Sequence, residues 1–403
     1  MQIFSKNDCM VQRFCNRKTI KNAIMSIEIK PVNSRKELDQ FINFNYWLYK
    51  GHPYAVPDLA FDLRDTFNKK KNPGLEFSEM QLFLALKDGK VAGRVVAIIN
   101  HRSNKTWNVK NVRFGWIDFI EDIDVAKALL DTVEQWGKER GMTHCQGPMG
   151  ITDMDKEGML TEGFDRLGTM ATLYNYPYYP EYLERLGYQK EAEWTELRMD
   201  VPEKIPEKYS KVGRIVMQRE KVHIKKLDGR NDIFHRGYGQ KIFNLINDAY
   251  SPLFGYSRMT ERQIDQYIKM YLPLLDLRMV TLVETDDTHQ LVSVGISMPS
   301  IVRALQKSRG KLLPFGWFHL LKSLKFKHED GVELLLIAVH PDWQNRGINA
   351  LLFTDLIPVY QQMGFKWAET NCILETNFKT QSQWQYLDAQ IVKRRRCFKK
   401  EIS

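Results

Sequence analysis

Three stretches of this chain carry residue types whose spacing can do chemistry. In Leu334 to Leu352, LLLIAVHPDWQNRGINALL, an apolar run ends at Val339, the chain turns at His340 and Pro341, and Gln344 to Asn349 lead into a helical pattern. Strand, loop and helix in that order aim backbone N–H groups out of the helix start, where the helix dipole favours an anion such as phosphate. Gly347 lets the backbone approach that anion closely, and Arg346 can add a positive charge. Glu369 and Glu375 follow on an expected strand over Ala368 to Leu374, where a two-residue period puts both on one face. Such a pair can supply a general base, or can pair with Arg394 to Arg396 on the neighbouring strand; Cys372 between them reads as a packing residue. The third stretch, GPMGITDMDKEGMLTEGF at residues 147–164, gathers Asp153, Asp155 and Glu157 in a glycine-rich loop. Its spacing is not that of a calcium loop, so these acids read as facing a cationic amine, or as a plain surface loop, and no metal site is expected.

The elements that must position these groups are legible as periodicities. QLFLALKDGKVAGRVVAIIN, residues 81–100, is two apolar runs joined at Asp88-Gly89, a hairpin signal. A strand at 113–119, a helix at 125–140 stopped by Gly141, a strand at 144–147 and a short helix within NYPYYPEYLERLGY (175–188) complete the first half. The proline- and charge-rich stretch 201–210 marks a linker between a domain at 26–200 and a second at 211–403. In the second half come a hairpin over 278–297, a strand at 332–339, a helix at 347–362, a strand at 368–374, a short helix at 380–387 and a last strand at 391–398. Two mixed α/β units of similar order imply a tandem repeat.

The chain has 403 residues, 43% hydrophobic and 27% charged, a globular composition with no apolar run long enough to cross a bilayer. Five cysteines without a CxxC pair fit a reducing cytoplasm. Residues 1–25 hold no secretory signal and read as a disordered or non-native extension, with Met25 as an alternative start. The net charge of +10 favours anionic partners. Part of it lies in residues 301–328, where Arg303, Lys307, Arg309, Lys311, Lys322, Lys325 and Lys327 meet no acid and flank Leu312, Phe315, Trp317 and Leu321. That stretch fits an interfacial contact with an anionic membrane, at the inner face of the cytoplasmic membrane, or a greasy substrate channel, or a packed helix with a solvated lysine face. Nucleic acid is disfavoured, since the basic run 394–396 has no aromatic stacking platform.

Residues 344–349, Gln-x-x-Gly-x-Asn, resemble the pyrophosphate loop of the GNAT acyltransferase superfamily, with Asn349 where the family has glycine or alanine. The resemblance implies that Gln344, Asn345, Arg346, Gly347, Ile348, Asn349 and Ala350 hold an acyl-CoA, while Ile337, Ala338 and Val339 pair with its pantetheine arm. ILETNFKTQSQWQYLDAQ resembles the next GNAT segment: Asn377 takes the family's Asn position, Trp384 replaces its Tyr general acid, and Tyr386 is the substitute phenol. In the first half Asp118, Glu121, Asp122 and Asp124 stand where a phosphate loop would be, so that half should bind no CoA, although Asn175 and Tyr182 match the GNAT helix segment. From Ile27 onward the chain resembles a family of bacterial tandem-GNAT proteins, through HPYAVPDL, GRVVAIIN, GPMG, DMDKEGML, KLLPFGW and ILETN, and is similar in outline to bacterial ceramide synthases. The resemblance implies two GNAT-like domains, each a mixed, mostly antiparallel sheet flanked by helices. It implies an acyl-CoA-dependent N-acyltransferase acting on a lipid amine such as a sphingoid base, or on a small-molecule amine; the spacing offers Glu369 or Glu375 as its base, and Tyr182, Phe315 and Trp317 are expected near the acceptor. A small-molecule or peptide N-acetyltransferase and a non-catalytic acyl-CoA-binding or membrane-surface protein remain the alternatives, and the oligomeric state stays open.

Overall fold

The computed structural model describes residues 27–402, so the extension expected at 1–25 lies outside the described residues. The first half runs β1 (Ile27–Pro31), α1 (Arg35–Leu48), α2 (Ala60–Thr66), β2 (Ser78–Lys87), β3 (Lys90–Asn100), α3 (His101–Trp107), β4 (Asn111–Phe119), α4 (Ile123–Lys138), β5 (His144–Gly147), β6 (Met159–Glu162), α5 (Tyr178–Arg185) and β7 (Gln189–Asp200). After residues 201–206 come α6 (Glu207–Glu220), β8 (Val222–Lys225), α7 (Tyr238–Tyr250), α8 (Glu261–Tyr271), β9 (Val280–Thr285), β10 (Leu291–Pro299), α9 (Val302–Ser308), α10 (Gly316–Lys325), β11 (Gly331–Val339), α11 (Asn349–Gln362), β12 (Trp367–Thr370), β13 (Ile373–Leu374), α12 (Phe378–Ser382) and β14 (Gln390–Glu401). No helix among the described residues is long and apolar enough to cross a membrane.

Local chemistry explains the elements. Asp88 and Gly89 both take positive φ, 52° and 75°, which is the turn whose twist suits the β2–β3 hairpin. Ser34 and Glu37 form a capping box at the start of α1, and Thr260 and Gln263 form another at α8. The apolar stripe Val125, Leu129, Val133 buries α4 on the first half's sheet.

All strands among the described residues join one mixed, mostly antiparallel sheet flanked by helices, the fold class the resemblance implied. Its order is β1-β2-β3-β4-β5-β14-β7-β12-β11-β10-β9-β8, with β6 on β14 and β13 on β7. Two of its pairs are parallel, β4 with β5 and β11 with β12. Each parallel pair holds for only a few residues, 111–113 against 144–146 and 331–334 against 367–370, and then splays open. The last strand, β14, belongs to the chain's second half yet lies between β5 and β7, and its Phe398 is buried in the first half's core.

At that junction the sheet buries charge. Lys393 and Arg395 of β14 are each 1% exposed, and Glu196 of β7 is fully enclosed between them. Lys393 pairs with Glu196 at 3.2 Å and also with Glu369 of β12, while Arg395 pairs with Glu196 and Arg198 reaches Glu369 at 3.3 Å. Burial alone would raise the Glu196 carboxyl, but the Arg395 and Lys393 charges outweigh it and hold the carboxyl below its ordinary value. Removing one partner from such a network strands the other charges. Lys393→Met is therefore expected to cost about 3 to 5 kcal/mol in urea unfolding; a loss below about 1 kcal/mol would show that Glu196 and Glu369 are satisfied without it.

Candidate active site

The segment between β11 and α11 is a cradle. A short 3-10 turn at Pro341–Trp343 ends β11's exit, Asn345 and Gly347 take positive φ of 63° and 81°, and α11 begins without a side-chain cap. Among the described residues, the N–H groups of 345 to 348 donate no hydrogen bond, which leaves a row of unpaired donors at the head of a 14-residue helix. A Cβ on Gly347 would lie 3.1 Å from Val212 and 3.2 Å from Val216 of α6, so a larger residue would both strain the loop and push it off its support. These features fit the pyrophosphate of a CoA thioester. Arg346 does not add its charge freely, because Glu220 holds its guanidinium at 3.0 Å and Trp343 stacks beneath it at 4.9 Å. Asn349, the departure from the family pattern, turns its amide to Gln383 at 3.2 Å. Lys379, which the sequence did not single out, bonds Gln344 at 3.2 Å beside the loop.

Past Leu334 no strand among the described residues pairs with the edge of β11 that faced β12, since the chain of β12 leaves the sheet after Thr370 and Asn371 ties back to Leu334 at 3.0 Å; side chains reach the strand's carbonyls instead, Asn371 at Leu335 (3.4 Å) and Gln344 at Val339 (3.3 Å). Ile337, Ala338 and Val339 line the slot so opened. The phenol of Tyr250 donates to the Ile337 carbonyl at 3.0 Å, and burial pushes its pKa up to about 12, so it stays protonated. From the cradle the slot widens into a cavity of about 1320 Å³ shared by both halves. One end holds Gln344, Gly347 and Asn349; another is walled by Leu275, Ile301, Leu312, Leu320 and Leu324; between them lies the acidic loop of the first half.

That loop puts Asp153, Asp155 and Glu157 into the cavity with Asp62 of α2. Asp155 accepts from the Thr152 N–H at 2.8 Å, and Asp153 from the Ser257 N–H at 2.8 Å with Arg113 at 4.0 Å. Lys156, the loop's own cation, is spent on Asp58 at 2.5 Å. Glu157 has no hydrogen bond or ion pair among the described residues. Burial, then the charge of Asp153, pushes its pKa up to about 8, and burial pushes Asp62 and Asp155 up to about 6. Asp62, Asp153, Asp155 and Glu157 share this part of the cavity with Lys156, whose charge Asp58 already answers, so the surplus is acidic and attracts a cation, and Glu157, raised to about 8, is the group that exchanges its proton nearest neutral pH.

The expected carboxylate pair is not assembled. Glu369 ends in the buried junction network on β12, whereas Glu375 follows β13 and pairs with Lys190 at 2.6 Å. The chain breaks at Asn371 and Cys372 between two short strands, so the two-residue period that would align them does not run through, and neither lines the cavity. Their partners are Lys393, Arg198 and Lys190, not the run 394–396, which pairs with Glu162, Glu184, Glu193 and Glu196. Tyr386 is exposed beside Lys208 and faces away from the cavity, and Trp384 is buried in the wall against Phe353. Asn377 does line the cavity and caps α12 through the Thr380 N–H at 3.2 Å. Trp317 lines it too; Phe315 is exposed outside it, Tyr182 packs on Phe119, and Ala350 is buried behind the loop. Asp62 and Tyr250 carried no local signal, because only the meeting of the halves brings them to the site.

No protein-family model matches the chain. It is 28% identical over 365 residues to the bacterial ceramide synthase of Caulobacter vibrioides (strain NA1000 / CB15N), covering 87% of this chain and 91% of that protein. It is 27% identical over 378 residues to Protein YghO of Escherichia coli (strain K12), covering 92% and 94%. Among solved structures, a tandem GNAT protein from the clavulanic acid biosynthesis pathway aligns over 94% of this chain and 99% of its own, with a TM-score of 0.56 at 11% identity.

The acid cluster has a consequence for stability. With a folded pKa of about 8 against an ordinary 4.5, Glu157 holds a proton in the folded chain that the unfolded chain has released over that window. Its contribution is therefore full below pH 4.5 and lost as pH rises through about 8, with Asp62 and Asp155 adding to the acidic end. The thermal midpoint should fall from pH 5 to pH 8.5, and Glu157→Gln should flatten that fall in differential scanning calorimetry. Equal slopes in both proteins would place the proton elsewhere.

Proposed function

This chain has the tandem GNAT fold, and we propose that it is an acyl-CoA-dependent N-acyltransferase whose acceptor is the amine of a lipid, of the sphingoid-base class. The observation that carries this reading is the single cavity that joins an uncapped, glycine-bearing helix start to a buried acid cluster and to a long apolar arm. The similarity to a ceramide synthase over 87% of the chain supports the lipid acceptor. The cradle takes the pyrophosphate, the edge of β11 that no strand covers takes the pantetheine arm, and the apolar arm takes hydrocarbon.

The acceptor arrives as an ammonium ion, drawn by Asp62, Asp153, Asp155 and Glu157. Glu157 removes one proton, which its raised basicity makes less uphill than for an ordinary carboxylate. The neutral nitrogen attacks the thioester carbonyl; the C–N bond forms as the C–S bond breaks. Of the two protons the nitrogen sheds, one leaves through Glu157 to solvent and the other ends on sulfur, for which the protonated Tyr250 phenol is the relay. Asn377 and the β11 backbone orient the thioester.

The test is thiol release from acetyl-CoA and palmitoyl-CoA with sphinganine or a short soluble amine as acceptor. Release with the long donor and sphinganine is expected. The wild-type kcat/KM should rise with pH through about 8, and Glu157→Gln should lower kcat about 100-fold or more and abolish that limb. Turnover of acetyl-CoA alone with small amines would replace the lipid acceptor by a small one, and donor binding without release for any amine would overturn catalysis.

A further inference from the structure

Five large apolar side chains that are exposed, Phe61, Tyr271, Leu274, Trp317 and Leu321, line the same cavity. They come from α2, α8, the segment after α8, and α10, so chain segments far apart in sequence place apolar groups around one mouth. Next to it, Leu313 is 78% exposed, Phe315 71%, Phe318 52% and Phe326 79%. Water is a poor solvent for a patch of this kind, and a monomer that keeps one normally covers it. The surrounding charge says with what. Arg309, Lys311, Lys322 and Lys327 are exposed, none has a carboxylate partner among the described residues, and no acid occurs from Arg309 to His328.

We propose that this face seats on an anionic lipid bilayer and that the cavity mouth opens into it, so that a lipid amine enters sideways, tail and amine together, without crossing water. The inference rests on the reading of the cavity as the acyl-transfer chamber. The protruding rings and leucines enter the acyl boundary while the four cations meet lipid phosphates. An apolar arm ending in an acid cluster then sorts the acceptor, tail toward the membrane and ammonium inward.

Flotation of the full chain with phosphatidylglycerol vesicles tests the seat without any turnover. Binding at least 10-fold stronger than to phosphatidylcholine vesicles is expected, weakened at 1 M salt, where screening acts within about 3 Å. Leu313→Glu with Phe318→Glu, at positions outside the cavity wall, should lose flotation. The same variant should keep activity on a short soluble amine while losing it on an amine embedded in vesicles. Salt-independent binding to both lipids, an unaffected variant, or a dimer in sedimentation that the variant dissociates would each overturn the membrane seat. Loss of turnover with every acceptor alongside intact flotation would instead count against the transferase reading.

A separate observation concerns the far edge of the sheet. His223 on β8, Glu284 on β9 and His289 in the β9–β10 turn place their ligand atoms within 4.8 Å of one another. Asp286 holds the His223 Nδ1 at 2.8 Å, which leaves Nε2 facing Glu284 at 3.9 Å, the orientation a carboxylate imposes on a metal-bound imidazole. Glu284 is 1% exposed and one of its oxygens, Oε1, has no hydrogen-bond partner among the described residues. We infer that this two-histidine, one-carboxylate set binds a borderline divalent cation of the zinc class and fastens edge strand β8 to the hairpin. Because β8 continues directly from α6, the helix under Gly347, the clip would also steady the cradle. Equilibrium dialysis against zinc should find one more equivalent in the wild type than in His289→Ala or His223→Ala, with a rise in thermal midpoint confined to the wild type. Equal zinc content, or an equal rise in the variants, would overturn the site.

Discussion

The insertion of β14 between β5 and β7 is the interaction on which the rest of the molecule depends. A strand from the end of the chain completes the first half's sheet, and β7 in turn pairs with β12 of the second half. The two halves are thereby one hydrogen-bonded surface rather than two bodies on a linker. The network of Lys393, Arg395, Glu196 and Glu369 makes the arrangement selective, because any other register would leave charges buried without partners. With the halves fixed in this way, the acidic loop of one faces the open strand edge of the other.

The contrast between the halves follows from what sits at one helix start. In the first half α4 begins at Asp122, whose own carboxylate accepts from the Asp124 N–H at 3.0 Å and pairs with Lys87. The helix end that could hold a phosphate is already filled by an anion, and repels another. In the second half α11 starts uncapped behind Gly347, and the same dipole is open to a ligand. The first half has its own splay between β4 and β5, and Trp116 with φ of 45° and Pro148 line a second cavity of about 630 Å³ there. Its contribution to the shared site is instead the loop 150–158, together with Asp62 of α2.

That loop is costly to fold. Asp153, Asp155 and Glu157 lose much of their hydration, and one Asp153 oxygen has no hydrogen bond among the described residues, only Arg113 at 4.0 Å. A chain selected for stability alone would place apolar residues there; carboxylates with raised pKa in a cavity are the mark of a site that handles protons.

The sequence by itself determined what short-range periodicity can encode. The β2–β3 hairpin at Asp88-Gly89 and the strand-loop-helix around Gly347 were legible, because each depends on neighbouring residues and on backbone conformations that few side chains allow; the mixed, mostly antiparallel sheet flanked by helices came from the family resemblance. Asp153, Asp155 and Glu157 could be picked out as a group for the same reason. What the tertiary structure decided was which charges are free. Glu369 and Glu375 look alike in sequence, yet one is neutralised by Lys393 from a strand placed beside it only by the fold, and the other by Lys190. Glu157 is basic because burial and the neighbouring Asp153 charge outweigh the Arg113 charge, a property of the assembled cavity and not of DMDKEGML. Asp62 and Tyr250 join the site from segments far apart in sequence, and no local pattern marks a contact that exists only when two halves share one sheet. Charge and solvation act through space over several ångströms, whereas a sequence records distance along the chain.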